Sequence, residues 1–231
     1  MGREADMVEK WKYGDSWEKF SINEFEIWSA GENKMLCADI AKVTEEDMSV
    51  LLYDQKVDMV YVDPPWNQSN ISSFRTKAGI KERQDFETFI NILLLKIFRH
   101  CRLVGYIETG KQNISMLMDK LKTYTNEILE YDVTYYGNKP SKIIRFKIGR
   151  ALLKDVNLNG FDDEDTPYVA MRNEMPTSVI DFCMGRGLTA RTAFSLGIQC
   201  FGIELNKRRL ANVLEFYHDS GLEVKKYATL R

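Results

Sequence analysis

The stretch from Ser178 to Asn206 limits the possible folds of this chain more than any other. An apolar run, Ser178 to Phe182, carries an acid at Asp181 and enters the turn Cys183-Met184-Gly185-Arg186-Gly187. A helical stretch follows, and a second apolar run, Gln199 to Ile203, ends at Glu204. Glycine lets the backbone turn sharply and approach a ligand closely, and open α/β sheets bind ligands at the carboxyl ends of their strands. The pattern predicts a βαβ unit with a ligand pocket at its turn.

Strands and helices alternate along the rest of the chain. Lys34 to Ile40 reads as a strand ending at Asp39, Val57 to Val62 as a second, and Leu103 to Ile107 as a third. Thr44-Glu45-Glu46-Asp47 has the form of a capping box and opens a short helix to about Tyr53. Phe86, Phe89, Leu93 and Ile97 recur at helical spacing over about 85–100, and Ile114, Leu117 and Leu121 mark another helix. Glu127 to Ile148 reads as a β-hairpin turning at Gly137-Asn138-Lys139-Pro140, and a final helix starts near Asn206. The alternation predicts an α/β fold with a doubly wound, mostly parallel sheet. Residues 34–231 form one domain after an N-terminal arm, 1–33, whose aromatics (Trp11, Tyr13, Trp17, Phe20, Phe25, Trp28) either pack on the core or touch substrate. Asn67 to Arg83 reads as a mobile loop and Asp162 to Asp165 as a solvated one.

Composition excludes several classes. With 32 basic against 34 acidic residues in 231, the chain is neither disordered nor built to be wrapped in nucleic acid, but a local basic patch is allowed. Six basic residues and no acid lie between Lys139 and Lys154. The absence of a run of 18 apolar residues predicts no membrane span, and the polar start predicts no signal peptide. Cys37, Cys101, Cys183 and Cys200 are widely separated and read as reduced core thiols, so the expected setting is cytosolic. With only His100 and His218, no metal cluster and no histidine triad is expected.

Two sites carry chemistry. Glu204, 23 residues after Asp181, is placed to accept hydrogen bonds from ribose hydroxyls, which implies a nucleoside ligand. The third glycine of dinucleotide loops is replaced by Ala190, and an acid before the turn repels pyrophosphate but suits a cationic amino group. S-adenosylmethionine (SAM) is therefore favoured over NAD. The second site is Asp63-Pro64-Pro65-Trp66 at the end of an apolar strand. Two prolines fix the backbone and remove two N–H donors, leaving a carboxylate and carbonyl oxygens together beside an aromatic face. That arrangement suits gripping an exocyclic amine while its ring stacks.

Together the two motifs resemble the amino-methyltransferases that modify N6 of adenine or N4 of cytosine. The order, Asp-Pro-Pro-Trp before the Gly-x-Gly motif, is similar to the permuted β class of DNA methyltransferases. Asp63 is similar to the adenine-specific members. The resemblance spans about 34–217 and implies a Rossmann-like, seven-stranded-type SAM-dependent fold. It implies that Asp63 and the Pro64 carbonyl accept hydrogen bonds from the target amine, with Pro65 fixing the turn and Trp66 stacking on the flipped base. Asp181, the Phe182–Gly187 turn (Cys183, Gly185 and Gly187 included), Thr189, Glu204 and Asn206 are implied to hold SAM, and Asp39 to meet its adenine. Arg186, Leu188 and Ala190 depart from the family's usual Gly-Ser-Gly-Thr-Thr.

Phosphate contacts are expected from Arg75 and Lys77 in the loop, with Lys81 and Arg83 nearby, and from Lys139, Lys142, Arg145 and Lys147 in the basic arm. The expected partner is DNA, with RNA as the alternative substrate, and no metal or membrane. A reduced target-recognition segment is left within 124–172, so a homodimer or a second subunit is expected to complete recognition. A restriction-modification, orphan or phage enzyme is the expected setting. The contrasting reading is a non-catalytic subunit that keeps the fold.

Overall fold

A computed structural model describes residues 16–150 and 154–231. After a short helix, α1 (Ser16–Lys19), the chain forms strands β1 (Glu26–Ala30) and β2 (Asn33–Cys37). Helix α2 (Glu45–Leu52) opens on the predicted capping box: Thr44 accepts from the Asp47 amide at 3.2 Å, and Asp47 accepts from the Thr44 amide at 2.8 Å. Strand β3 (Val57–Val62), buried at every position, leads to α3 (Gln68–Lys77), α4 (Phe86–His100), β4 (Cys101–Thr109) and α5 (Ile114–Leu121). The hairpin β5 (Ile128–Tyr135) and β6 (Lys139–Lys147) follows, then α6 (Thr166–Glu174) and β7 (Ser178–Asp181). Helix α7 (Leu188–Ser195), β8 (Gln199–Glu204), α8 (Lys207–Asp219) and β9 (Val224–Thr229) complete the order.

The described residues form one sheet of nine strands in the order β5-β6-β4-β3-β7-β8-β2-β1-β9. Its five central strands, β4 to β2, are parallel, with an antiparallel pair on each flank. The nine exceed the seven expected because the second half of the presumed arm is strand β1, buried throughout, and because Val224–Thr229 closes the other edge. Trp11 and Tyr13 lie outside the described residues. The connection from β3 leads outward to β4 while that from β7 leads the opposite way to β8, so the topology switches between β3 and β7. Open α/β sheets bind ligands outside the strand ends at such a point.

Both faces of the sheet are covered. One core gathers Met59, Tyr61, Tyr106 and Val179 under Met171, Ala193 and Leu214; the other gathers Val60, Val62, Ile144 and Phe146 under Leu51, Leu93 and Leu117. Residues 67–83, expected as a loop, contain α3: Asn67 caps it by accepting from the Asn70 amide at 2.9 Å, and Ile71 and Arg75 are buried. Its polarity hid it, because only one turn of it faces the core. The acidic run is also not merely solvated. Asp163 is buried and accepts from the Tyr136 amide at 3.0 Å, while Asp162 accepts from the Gly137 amide at 2.6 Å. Tyr136 and Gly137 both adopt positive φ (51° and 73°), so the hairpin turn is pinned where the backbone is tightest.

Candidate active site

Side chains alternate across a strand, and register partners in a parallel sheet share a face. Tyr61 lies level with Asp181 by extension of the Val60–Ile180 pair, Asp181 pairs with Gly202, and Glu204 pairs with Cys37. Asp63, Asp181, Glu204 and Asp39 therefore all project on one face at the carboxyl end of the sheet, on β3, β7, β8 and just beyond β2. Glu108, one step past the Val62–Ile107 pair, joins the row from β4.

At the cofactor side, the turn is built by backbone. Asp181 accepts from the Cys183 amide at 2.9 Å and from the Thr189 side chain. Glu204 accepts from the Gly185 amide at 2.7 Å and the Asn206 amide at 2.8 Å. Gly187, at φ 81°, lets the turn reach α8: a Cβ there would meet Val213 at 2.7 Å. Burial pushes Asp181 up to about 7 and raises Glu204, against the amides that favour their charged forms. Among the described residues neither carboxyl forms a salt bridge, so a cationic ligand is what the site suits. A sulfonium bearing an amino group and a ribose fits this donor and acceptor set.

Phe182 turns its ring into the opposite core, leaving only its backbone in the turn. Asn206 caps α8, accepting from the Arg208 amide at 2.9 Å and donating to the Lys77 carbonyl at 3.2 Å. The basic opening of α8, unfavourable to the helix dipole, is offset locally. Lys207 and Arg208 lie over Trp17 at 5.6 and 5.3 Å, and Arg209 lies over Phe74 at 4.9 Å, where it also lowers the pKa of Glu204. Asp39 is engaged by the chain itself: Arg75 pairs with it at 2.5 Å, both groups buried, and the Ala41 amide donates to it at 3.0 Å.

At the substrate side, the Trp66 indole donates to Asp63 at 2.7 Å, and the Trp66 carbonyl accepts from Asn113 at 2.7 Å. The indole lies against Gly110, where a Cβ would come within 2.7 Å of its ring, and its centroid is 4.6 Å from that of Tyr135. Tyr135 is a site residue that the sequence reading missed. Asp63 is an exposed residue, yet the protein around its carboxyl pushes it up to about 7 by desolvation. The Trp66 hydrogen bond opposes that rise, and the Asp181 and Asp163 charges add to it.

The nucleic-acid contacts divide. Lys77 and Lys139 are exposed. Arg75 is not a surface group, because its guanidinium is taken by Asp39, Gln84 and the Glu82 carbonyl. Arg145 is 1% exposed and pairs with Glu174 at 2.5 Å, since β6 is covered on both faces. Lys142 is held by Glu130 and Asp132 at 2.5 and 2.9 Å, and Lys147 by Glu127 at 2.5 Å. Acids on β5, just before it and on α6 thus neutralise Lys142, Lys147 and Arg145 of the apparent basic arm. Among the described residues no group of three or more His, Cys, Asp or Glu could hold a metal ion, and no helix is long and apolar enough to cross a membrane.

The model of the D12 class N6 adenine-specific DNA methyltransferases matches residues 7–136, more than half of the chain. This chain belongs to that family. It is a SAM-dependent methyltransferase acting on N6 of adenine in DNA. The matched span holds the Asp-Pro-Pro-Trp motif. Solved structures share the fold. The SAM complex of M1.HpyAVI is similar at a TM-score of 0.58 and 13% identity, covering 79% of this chain and 97% of that one. The SAM complex of TTHA0409, a putative DNA modification methylase of Thermus thermophilus, is similar at 0.54 and 14%, covering 80% and 93%. The cytosine-N4-specific PvuII DNA methyltransferase is similar at 0.50 and 10%, covering 81% and 90%. No curated protein matches.

Proposed function

We propose that the carboxylate row divides the reaction between its members: Asp181 and Glu204 bind the methyl donor, and Asp63 with the Pro64 carbonyl grips the adenine amine. The adjacency of Asp63 and Asp181 across the topological switch point carries this reading, since it sets the amine grip beside the cofactor turn. SAM, when bound, would supply an electrophilic methyl group, its S–CH3 bond breaking as the sulfonium leaves as a neutral thioether. Asp63 and Pro64 accept the two N6–H groups and favour a pyramidal nitrogen whose lone pair forms the new N–C bond. The proton lost from N6 passes to the Asp63 carboxylate, whose pKa near 7 suits it to take and return a proton at neutral pH. Trp66 and Tyr135 offer aromatic faces to a base that has left its stack.

The domain takes in β1 (Glu26–Ala30) together with residues 34–231, and the arm is what precedes it. Residues 124–172 hold the hairpin, the Asp162–Asp165 clasp and most of α6, with Lys139 at the exposed hairpin end. This small segment serves target recognition, and a second copy or subunit supplies the rest. A restriction-modification or phage setting fits such an enzyme. Tritiated methyl transfer from SAM to unmethylated genomic DNA, with the product nucleosides resolved, tests the assignment. Label in N6-methyladenine, absent with Asp63→Ala, is the expected result. Label in N4-methylcytosine, or preferential labelling of matched RNA, would overturn it.

A further inference from the structure

Glu108 has no role in the division just described, yet among the described residues it is a buried carboxyl of unusual surroundings. Its side chain is 3% exposed, and Oε1 has no hydrogen-bond partner. It stands beside Asp63 by register and on the same face, with Ile143 as its partner on β6. Ser141, two residues before Ile143 on β6 and so on that face as well, also keeps a buried Oγ without a partner. Buried polar atoms are almost always satisfied, so two orphans at the substrate end point to a polar ligand. The groups acting on Glu108 are acids: Asp63, Asp163 and Asp162. Desolvation leads, those charges add to it, and together they raise Glu108 to about 10, so at neutral pH it carries a proton and is a donor.

A donor next to the amine grip meets one feature of adenine. The exocyclic amine donates, and the ring nitrogens flanking it, N1 and N7, carry lone pairs that accept. We infer that Glu108, in its acid form, donates a hydrogen bond to the ring nitrogen beside the target amine and so orients the flipped base for Asp63. This inference rests on the proposed roles of Asp63 and Pro64, which engage the amine and leave the ring nitrogen for a further residue.

Deaza bases test it. Duplexes carrying the methylated sequence, as read from modified genomic DNA, are made with adenine, 1-deazaadenine or 7-deazaadenine at the target. Single-turnover transfer is measured, together with duplex affinity by fluorescence anisotropy in the presence of sinefungin. The wild-type enzyme is expected to lose about 10–100-fold on one of the two analogues, because the missing nitrogen leaves a buried donor unsatisfied. Glu108→Gln keeps a donor and should keep that discrimination. Glu108→Met, of similar shape and apolar, should act more slowly on adenine and no longer distinguish the analogue. Equal treatment of all three bases by the wild type would overturn the inference, as would discrimination that survives in Glu108→Met. Where turnover is too slow to follow, the affinities decide on the same criteria. Wild-type enzyme that transfers no methyl to unmodified adenine would overturn the underlying reading together with this one.

Discussion

The two ends of the carboxylate row are built by different means. At the cofactor end, Asp181 and Glu204 belong to one βαβ unit, and their oxygens accept amides from the same stretch: Cys183, Gly185 and Asn206. At the substrate end, the site is assembled from four distant segments, around Asp63, Glu108, Tyr135 and Asp163. Burial lifts the carboxyls there and neighbouring acids add to it, with Asp63 at about 7, Asp163 at about 6 and Glu108 at about 10. Backbone amides can be set in place by a short motif. A crowd of acids needs the whole fold to hold it together, and that fits a site that must adapt to a base arriving from a duplex.

If the substrate end depends on long-range packing, its largest vulnerability is Arg145. That guanidinium pairs with Glu174, which also accepts from Tyr106 at 2.6 Å. Removing one partner strands the other in the interior, so Arg145→Ala should cost about 3–5 kcal/mol in denaturant unfolding. A loss of DNA affinity with unchanged stability would instead return Arg145 to the phosphate contacts.

The pH profile sharpens the comparison next. Asp63 and Asp181, both raised to about 7, bind protons that the unfolded chain releases near 4, and both must be ionised for turnover, Asp181 to receive the cationic donor and Asp63 to take the N6 proton. As pH falls through about 7, kcat/KM for SAM should therefore drop about tenfold per unit at first and steepen toward a hundredfold. A profile flat down to pH 5 would mean that neither carboxyl is held up by its surroundings. The smallest effect belongs to Lys142, neutralised by Glu130 and Asp132. Lys142→Ala should change DNA affinity by less than about twofold and leave the salt dependence unaltered, whereas a phosphate contact would reduce that dependence by about one ion.

The same contrast explains what the sequence revealed. The cofactor half was legible because acid, glycines and second acid fall within one stretch of local order, and the Asp-Pro-Pro-Trp motif because it ends an apolar strand. Glu108 carried a usable signal: like Asp63, Asp181 and Glu204, it follows directly on an apolar strand. Tyr135 carried none, since its approach to Trp66 depends on how the hairpin lies across the sheet. The basic arm misled for a related reason. Arg145 and Lys147 alternate with Ile144 and Phe146 as surface residues would, but their counter-charges, Glu174 and Glu127, sit on α6 and just before β5, which periodicity along one strand cannot show. Helix α3 went unread because its link to Asp39 is a single buried arginine.

The most direct test of the division of labour pairs SAM binding by calorimetry with single-turnover methyl transfer in Asp63→Ala and Asp181→Ala. Asp63→Ala should bind SAM within about threefold of wild type yet transfer methyl at least about a hundredfold more slowly. Asp181→Ala should weaken SAM binding about tenfold or more, as expected for a lost charge-assisted contact. Loss of SAM binding in Asp63→Ala, or its retention in Asp181→Ala, would contradict the account.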